Sequence, residues 1–395
     1  MLKVFAVALT IAVAVSATPV AASPPCAYLS SLIDSAPSGP IFLASYPLEK
    51  SGALANAAFL YDNAAAAIAL VGCNEVPRAR RIGDAILVAL DHDRYWHDGR
   101  LRNGYAAGAV TRPVKLAGWW DTKENHWVED RYQVGSDNGN MAWAMLALLA
   151  LDRVTNDPRY RAGAVRIATW TLRWRDARGG FTGGTFAHEP SPDTLHWKST
   201  EHNTDLAAAY RALAQTTGDA QWLAPARAAE DFVRAQWTPA CNCFAVGTAV
   251  DGVTPNPFLA LDAQIWPLLA LSNTTSYGAV LATVQDRLSQ SGGYAYSEAR
   301  DGLWTEGTAQ VALLQALLGH NAQAAALNRT VAAMRGPDGA TYAADTPVLP
   351  TGFMLDTDPT KPRDYFHIPA LAPAAWAALA ERRFNPFTGA RALPR

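Results

Sequence analysis

STEHNTDLAAAYRALA, residues 199–214, reads as an alanine-rich helix entered through a run of polar and ionisable residues. Five further stretches share that form: YDNAAAAIALV from Tyr61, SDNGNMAWAMLALLAL from Ser136, LDAQIWPLLAL from Leu261, WTEGTAQVALLQALL from Trp304 and FHIPALAPAAWAALA from Phe366. Small side chains suit helices that crowd together. If the six lie side by side, their starts gather several carboxylates at one mouth.

Between these stretches lie segments whose apolar residues recur at helical spacing, with Arg, Asp and Gln on the opposite face, as expected of outer helices. They run over Pro77–Asp91, Pro158–Arg175, Ala220–Trp237, Tyr277–Gln290 and Ala322–Met334, and a helix near Tyr28–Asp34 pairs with the last alanine-rich one. Strand signals are sparse. Connections out of the alanine-rich helices are short, as at Thr217-Gly218-Asp219, which makes antiparallel neighbours. Connections into them are long: 92–135, 176–198, 238–260, 291–303 and 335–365. Long loops of this kind usually carry function, and all arrive at one end. A helical solenoid would show a fixed period, whereas these starts are unevenly spaced. The expected fold is therefore all-α, a single (α/α)6 barrel spanning residues 23–395, with six inner helices inside six outer ones.

The chain has 395 residues, 50% hydrophobic, with a formal net charge of −2. That is ample for a full core and offers no charge signature of a nucleic-acid or anionic-membrane partner. Lys3 followed by the apolar run Val4–Val15 and small residues reads as a secretory signal cut near Ala22, too short to span a bilayer. A periplasmic or secreted protein, monomeric and without membrane insertion after cleavage, is expected. Four cysteines in such a protein suggest disulfides. Cys26 with Cys73 would tie the N-terminal arm to the first helical pair. Cys241 and Cys243 are close for an easy bridge, although one is possible, and no zinc spacing surrounds them.

Three helix starts place a hydroxyl before an acid: Ser136-Asp137, Thr200-Glu201 and Thr305-Glu306. The hydroxyls can cap. The acids would then meet the helix dipole, worth about 0.3–1 kcal/mol each, or be released for chemistry. Their company favours chemistry. Glu201 is followed by His202, Asn203 and Asp205; Asp137 by Asn138 and Asn140; Asp62 by Asn63; Gln310 lies one turn beyond Glu306, and Gln264 follows Asp262. Amides disfavour helix interiors and can partner hydroxyl groups. Glycoside hydrolysis needs two carboxyls, one protonated and one charged, and crowding separates their pKa values. Glu201 is the candidate general acid; Asp137 or Asp62 is the opposing base, with Glu306 in reserve. Candidate substrate contacts are Trp119, Trp120, Asn138, Trp143, Trp197, His202, Asn203, Trp304, Gln310 and His367. His202 and His367 also permit an epimerase or lyase, since both can act as acid or base. Sequence fingerprints of zinc proteases, serine esterases, P-loops and dinucleotide folds are lacking. A carbohydrate substrate is expected, with neither cofactor nor metal.

These segments resemble the six-hairpin glycosidase superfamily. KSTEHNTDLAAAYRAL is similar to a TEHN-x-D helix start of uncharacterised bacterial members, SDNGNMAWAMLALLAL to their D-x-GN-x-AW segment, GLWTEGTAQVALL to WFEGTAQ, and AWAALAERRFNPF to a closing ATAW…FNPF helix; YDNAAAAIAL matches their first inner helix. The resemblance spans nearly the whole mature chain. It implies the (α/α)6 toroid and action on carbohydrate, by hydrolysis or by the lyase, epimerase or phosphorylase chemistry that the same toroid supports. Thr305 stands where the family usually has an aromatic residue, which puts the role of Glu306 in question. A toroid that binds glycan without catalysis is the remaining alternative.

Overall fold

The computed structural model describes residues 23–355 and 358–391; the expected signal segment lies outside them. Twelve α-helices occur among the described residues: α1 (Pro24–Asp34), α2 (Leu60–Gly72), α3 (Val76–Asp91), α4 (Asn138–Thr155), α5 (Pro158–Thr171), α6 (Thr200–Thr217), α7 (Leu223–Ala235), α8 (Leu261–Ala270), α9 (Val280–Leu288), α10 (Thr305–Leu317), α11 (Asn321–Ala333) and α12 (Leu371–Arg382). The even-numbered helices are the alanine-rich ones. Each packs on the next, and α12 returns to α2, so the inner ring closes. The odd-numbered helices lie outside it, α1 against α2, α3 and α12. This is the expected (α/α)6 toroid.

Alanine makes the closure possible. Ala64, Ala65, Ala66 and Ala67 of α2 are wholly buried, as are Ala374 and Ala375 of the adjoining α12. Every large side chain in such a seam would overpack it. Of the outer helices, α7 and α9 begin and end inside the predicted bounds, α5 ends short of them, and α3 and α11 begin one residue before them. A 3-10 turn, Ala220–Trp222, precedes α7 because the Asp219 carboxylate accepts the Gln221 N–H at 2.9 Å; another, Leu172–Trp174, follows α5.

A repeated bond fixes the rim. The first N–H of every inner helix donates to a carbonyl in the loop leading to the next inner helix: Leu60 to Asn103, Asn138 to Gly183, Thr200 to Val246, Leu261 to Tyr296, Thr305 to Ala343 and Leu371 to Ser45. These bonds are 2.8–3.1 Å long and run once round the ring. They also correct the expected capping. Thr200 and Thr305, whose N–H groups these loop carbonyls take, are first helical residues and not the caps, whose side chains would serve the second or third N–H. Ser199 caps α6 by accepting the His202 N–H, while the Thr200 hydroxyl donates to the Ala245 carbonyl. Neither α4 nor α10 has a side-chain cap.

The fourth residue of an inner helix ties down the loop before it. Asn63 exchanges two bonds with the backbone of Leu43 (2.7 and 3.0 Å), Asn203 with Phe181 (2.8 and 3.0 Å) and Gln264 with Phe244 (2.8 Å each). Thr308 accepts from the Tyr294 N–H, and Met141 sulfur from the Leu101 N–H. The amides that read as partners for sugar hydroxyls are thus occupied by backbone at three of these positions.

The long loops also hold more strand than expected, as short antiparallel pairs. The largest hairpin pairs Val348–Leu355 with Asp358–Phe366. Both cysteine pairs are bridged. Cys26–Cys73 joins α1 to the end of α2, and Cys241–Cys243 closes across Asn242, whose left-handed backbone brings the Cα atoms to 5.2 Å.

Candidate active site

The ring brings equivalent positions to one height. The second residues of α2, α6, α8 and α10 are Tyr61, Glu201, Asp262 and Glu306, and all four line one chamber at the mouth, with Asp137 beside them. One turn lower, the sixth residues of α4, α6, α8, α10 and α12 are Trp143, Asp205, Trp266, Gln310 and Trp376. The three indoles meet edge to face or offset, with centroids 5.4–5.9 Å apart, and form an aromatic floor. Asp205 interrupts that floor. Its carboxyl lies near the Trp143 indole, close enough to favour the charged form but outside hydrogen-bonding geometry.

The second residue of α4 is Gly139. A Cβ there would stand 2.4 Å from the His202 ring, so glycine is what admits His202 to the chamber. The roof comes from the 348–366 hairpin, which contributes Thr351, Arg363 and Tyr365. Arg363 stacks over Tyr132 at 5.0 Å and borders the chamber and both outer clefts. The chamber encloses about 190 Å³, below the range of roughly 300–1,000 Å³ for drug-sized ligands, so it suits about one sugar ring. The clefts beyond it, about 290 and 370 Å³, leave room for more.

Burial raises the pKa of Glu201, Asp205, Asp262 and Glu306. Glu201 is pushed well above the ordinary range by desolvation and then by the charges of Asp262 and Glu306, while Arg363 partly offsets this. Glu306 rises to about 8 and Asp262 to about 6, both chiefly through desolvation. Asp205 is also raised, by burial and by Glu201. Burial lowers His202 to about 4, so its imidazole is neutral at ordinary pH. Glu306 is held in place: the Tyr61 hydroxyl donates to it, the Trp376 indole N–H donates to Tyr61 at 2.7 Å, and the Gln310 amide donates to Glu306 at 3.3 Å. No such bond restrains Glu201 among the described residues.

The raised carboxyls Asp262 and Glu306 make the stability of the fold depend on pH. These folded-state values lie above those of an unfolded chain. Their stabilising contribution is therefore complete below about pH 4 and lost as pH rises through the folded values, near 6 for Asp262 and near 8 for Glu306. For Asp262 alone, a rise from 3.8 to about 6 corresponds to about 3 kcal/mol. Thermal melts should show a lower midpoint at pH 9 than at pH 5, and Asp262→Asn should flatten the trend. An unchanged slope in that variant would count against burial of this charge.

The predicted residues separate into groups. Glu201, Asp137, Glu306, Trp143, Trp197, His202 and Trp304 line the chamber, and Gln310 lies just beneath it. Asp62, raised to about 6 by burial, lies in the adjoining cleft with Asp130 and Glu306. Asn138 donates to the Thr182 carbonyl at 2.7 Å and Asn203 serves Phe181, so neither amide faces the chamber. His367 stacks on Tyr342 at 4.4 Å, bonds the Ala344 carbonyl and lines a separate pocket. Trp119 and Trp120 belong to a surface hairpin outside the chamber lining. Sequence reading missed Tyr61, Asp262, Tyr296, Arg363 and Tyr365 as site residues. Aligning the six helices on their first residue would have placed Asp262 in the slot of Glu201 and Glu306.

No protein-family profile and no curated protein matches the chain. Solved structures do. A novel α-amylase from Clostridium perfringens superposes with a TM-score of 0.64 at 11% identity, covering 93% of this chain and 100% of that one. What these solved structures share with this chain is the fold, the (α/α)6 toroid. Within that fold, a glycosidase variant in complex with glucose aligns at TM-score 0.61 and 14% identity over 91% of this chain and 96% of its own. A cellobiose 2-epimerase from Bacillus thermoamylovorans aligns at 0.62 and 12% over 90% and 95%. Hydrolases and an epimerase thus share the toroid with this chain.

Proposed function

We propose that the protein is an exported glycoside hydrolase that cleaves a glycosidic bond in this chamber, above its aromatic floor. The observation carrying this reading is the set of three carboxyls at one height, Glu201, Asp262 and Glu306, enclosed together with separated pKa values. Glu201, raised and unrestrained, gives its proton to the glycosidic oxygen as the bond to the anomeric carbon breaks. Glu306 is the base in its ionised form, whose share grows as pH rises towards its value of about 8: it takes a proton from the water that attacks that carbon, and the donors Tyr61 and Gln310 both favour the charge. Asp262, between them in ring order, ionises first and keeps Glu201 protonated. A carbohydrate epimerase working through paired histidines fits less well, because His367 lies outside the chamber and leaves His202 alone there.

The test is incubation with a panel of oligosaccharides, reading new reducing ends. Native protein should release them, and Glu306→Gln should lower the rate by roughly 10²–10⁴-fold. Conversion of a disaccharide without new reducing ends would assign epimerisation instead. Loss of activity in Asp262→Asn but not in Glu306→Gln would move the base to α8.

A further inference from the structure

Trp120 and Trp127 lie outside the chamber, yet their setting is built. They are direct partners in the antiparallel hairpin Trp119–Asp121/His126–Val128, so both rings stand on one face. More than half of each is exposed, 55% and 52%. The turn is fixed by Asp121, whose carboxylate accepts the N–H groups of Lys123 and Glu124 at 2.9 and 3.0 Å. Trp127 is also fixed. Its ring lies so close over buried Gly118 that a Cβ there would stand 2.6 Å from it. One face of the indole is thereby used against backbone, and the ring as a whole remains open to solvent. From Val128 the chain runs directly to Asp130 and Tyr132, which line the outer cleft with Asp62 and Glu306.

We infer that this tryptophan pair is a remote binding platform for a neutral polysaccharide whose chain continues from the outer cleft. The inference deepens the proposed function and rests on it for the direction of the chain. Two rigid indoles present flat apolar faces to the C–H faces of pyranose rings. Asp121 and His126, the next pair along, point to the opposite face, and the turn beyond the rings presents the exposed polar side chains of Lys123 and Glu124. The cleft that Asp130 and Tyr132 line carries Asp62, Asp130, Glu306 and Asp364 against one cation, Arg363, a balance that gives no attraction for an anionic polymer.

Affinity electrophoresis in gels containing soluble starch, dextran, mannan or xylan tests the platform without requiring turnover. Native protein should be retarded by at least one polymer. Trp120→Ala/Trp127→Ala should bind it roughly tenfold more weakly, the loss expected for two stacking contacts. Its rate on a trisaccharide should match native, which also shows that it is folded, and Trp120→Tyr/Trp127→Tyr should restore most of the retardation. Equal retardation of native and alanine variants overturns the inference, as does a native protein that none of the four polymers retards. If the platform binds polymer while no oligosaccharide is hydrolysed, the hydrolase reading fails and the platform stands.

Discussion

Glu201→Gln is expected to lower kcat/KM on a natural glycosidic bond by about 10³-fold, within the range for loss of a general acid. The amide keeps size and hydrogen bonding but has no proton to give. The same variant should lose much less on an aryl glycoside whose leaving group is a good one, because that bond breaks without protonation. Glu306→Gln should lose activity on both. This pattern separates an acid from a residue that merely shapes the chamber. Glu201→Gln should also unfold no more easily than native at pH 8, since burial there opposes the charge of the carboxylate. Equal losses on the two substrates would remove Glu201 from the acid role.

Arg102→Met is expected to cost about 3–5 kcal/mol of unfolding free energy, the range for breaking a buried ion pair by removing one partner. The Arg102 side chain has no exposed surface. Its guanidinium donates to Asp93 at 2.7 and 2.9 Å, to Glu189 at 2.8 Å and to the Val134 carbonyl at 3.1 Å. It therefore joins the beginning of the 92–137 loop, the end of that loop and the 172–199 loop. Arg102 holds Asp93 below the ordinary carboxylate range against the cost of burial. Removing the cation would leave that charge buried and unpaired. Urea unfolding measures the loss, and Arg102→Met/Asp93→Leu should recover part of it. A change below about 1 kcal/mol, the level of a surface pair, would show that the centre is solvated.

Much of the toroid was legible because its physics is local. Runs such as AAAAIAL admit close helix neighbours, and the alternation of short and long connections fixes which ends meet. Glu201 and Glu306 were legible for the same reason, since each sits at a fixed place after a helix start. The partners of the amides were not. Asn203 and Gln264 look identical in sequence whether they face a sugar or the backbone of Phe181 and Phe244, and only the folded loop decides. The 348–366 hairpin was hidden by composition. Leu349, Thr351 and Phe353 alternate on its inner side, but Pro350, Gly352 and Pro362 disguise the strands. Arg363 and Tyr365 were lost from the site with it.

The donor chain behind Glu306 has a bearing on biogenesis. Trp376, Tyr61 and Glu306 are separated by 315 and 245 positions along the chain, and the Leu371–Ser45 bond likewise joins its two extremities. Translation delivers Tyr61 early and Trp376 nearly last. A nascent or C-terminally clipped chain can fold several hairpins and still leave the Tyr61 hydroxyl without the Trp376 indole that donates to it. The complete donor chain behind Glu306 is thus withheld from fragments and arrives with the final helix.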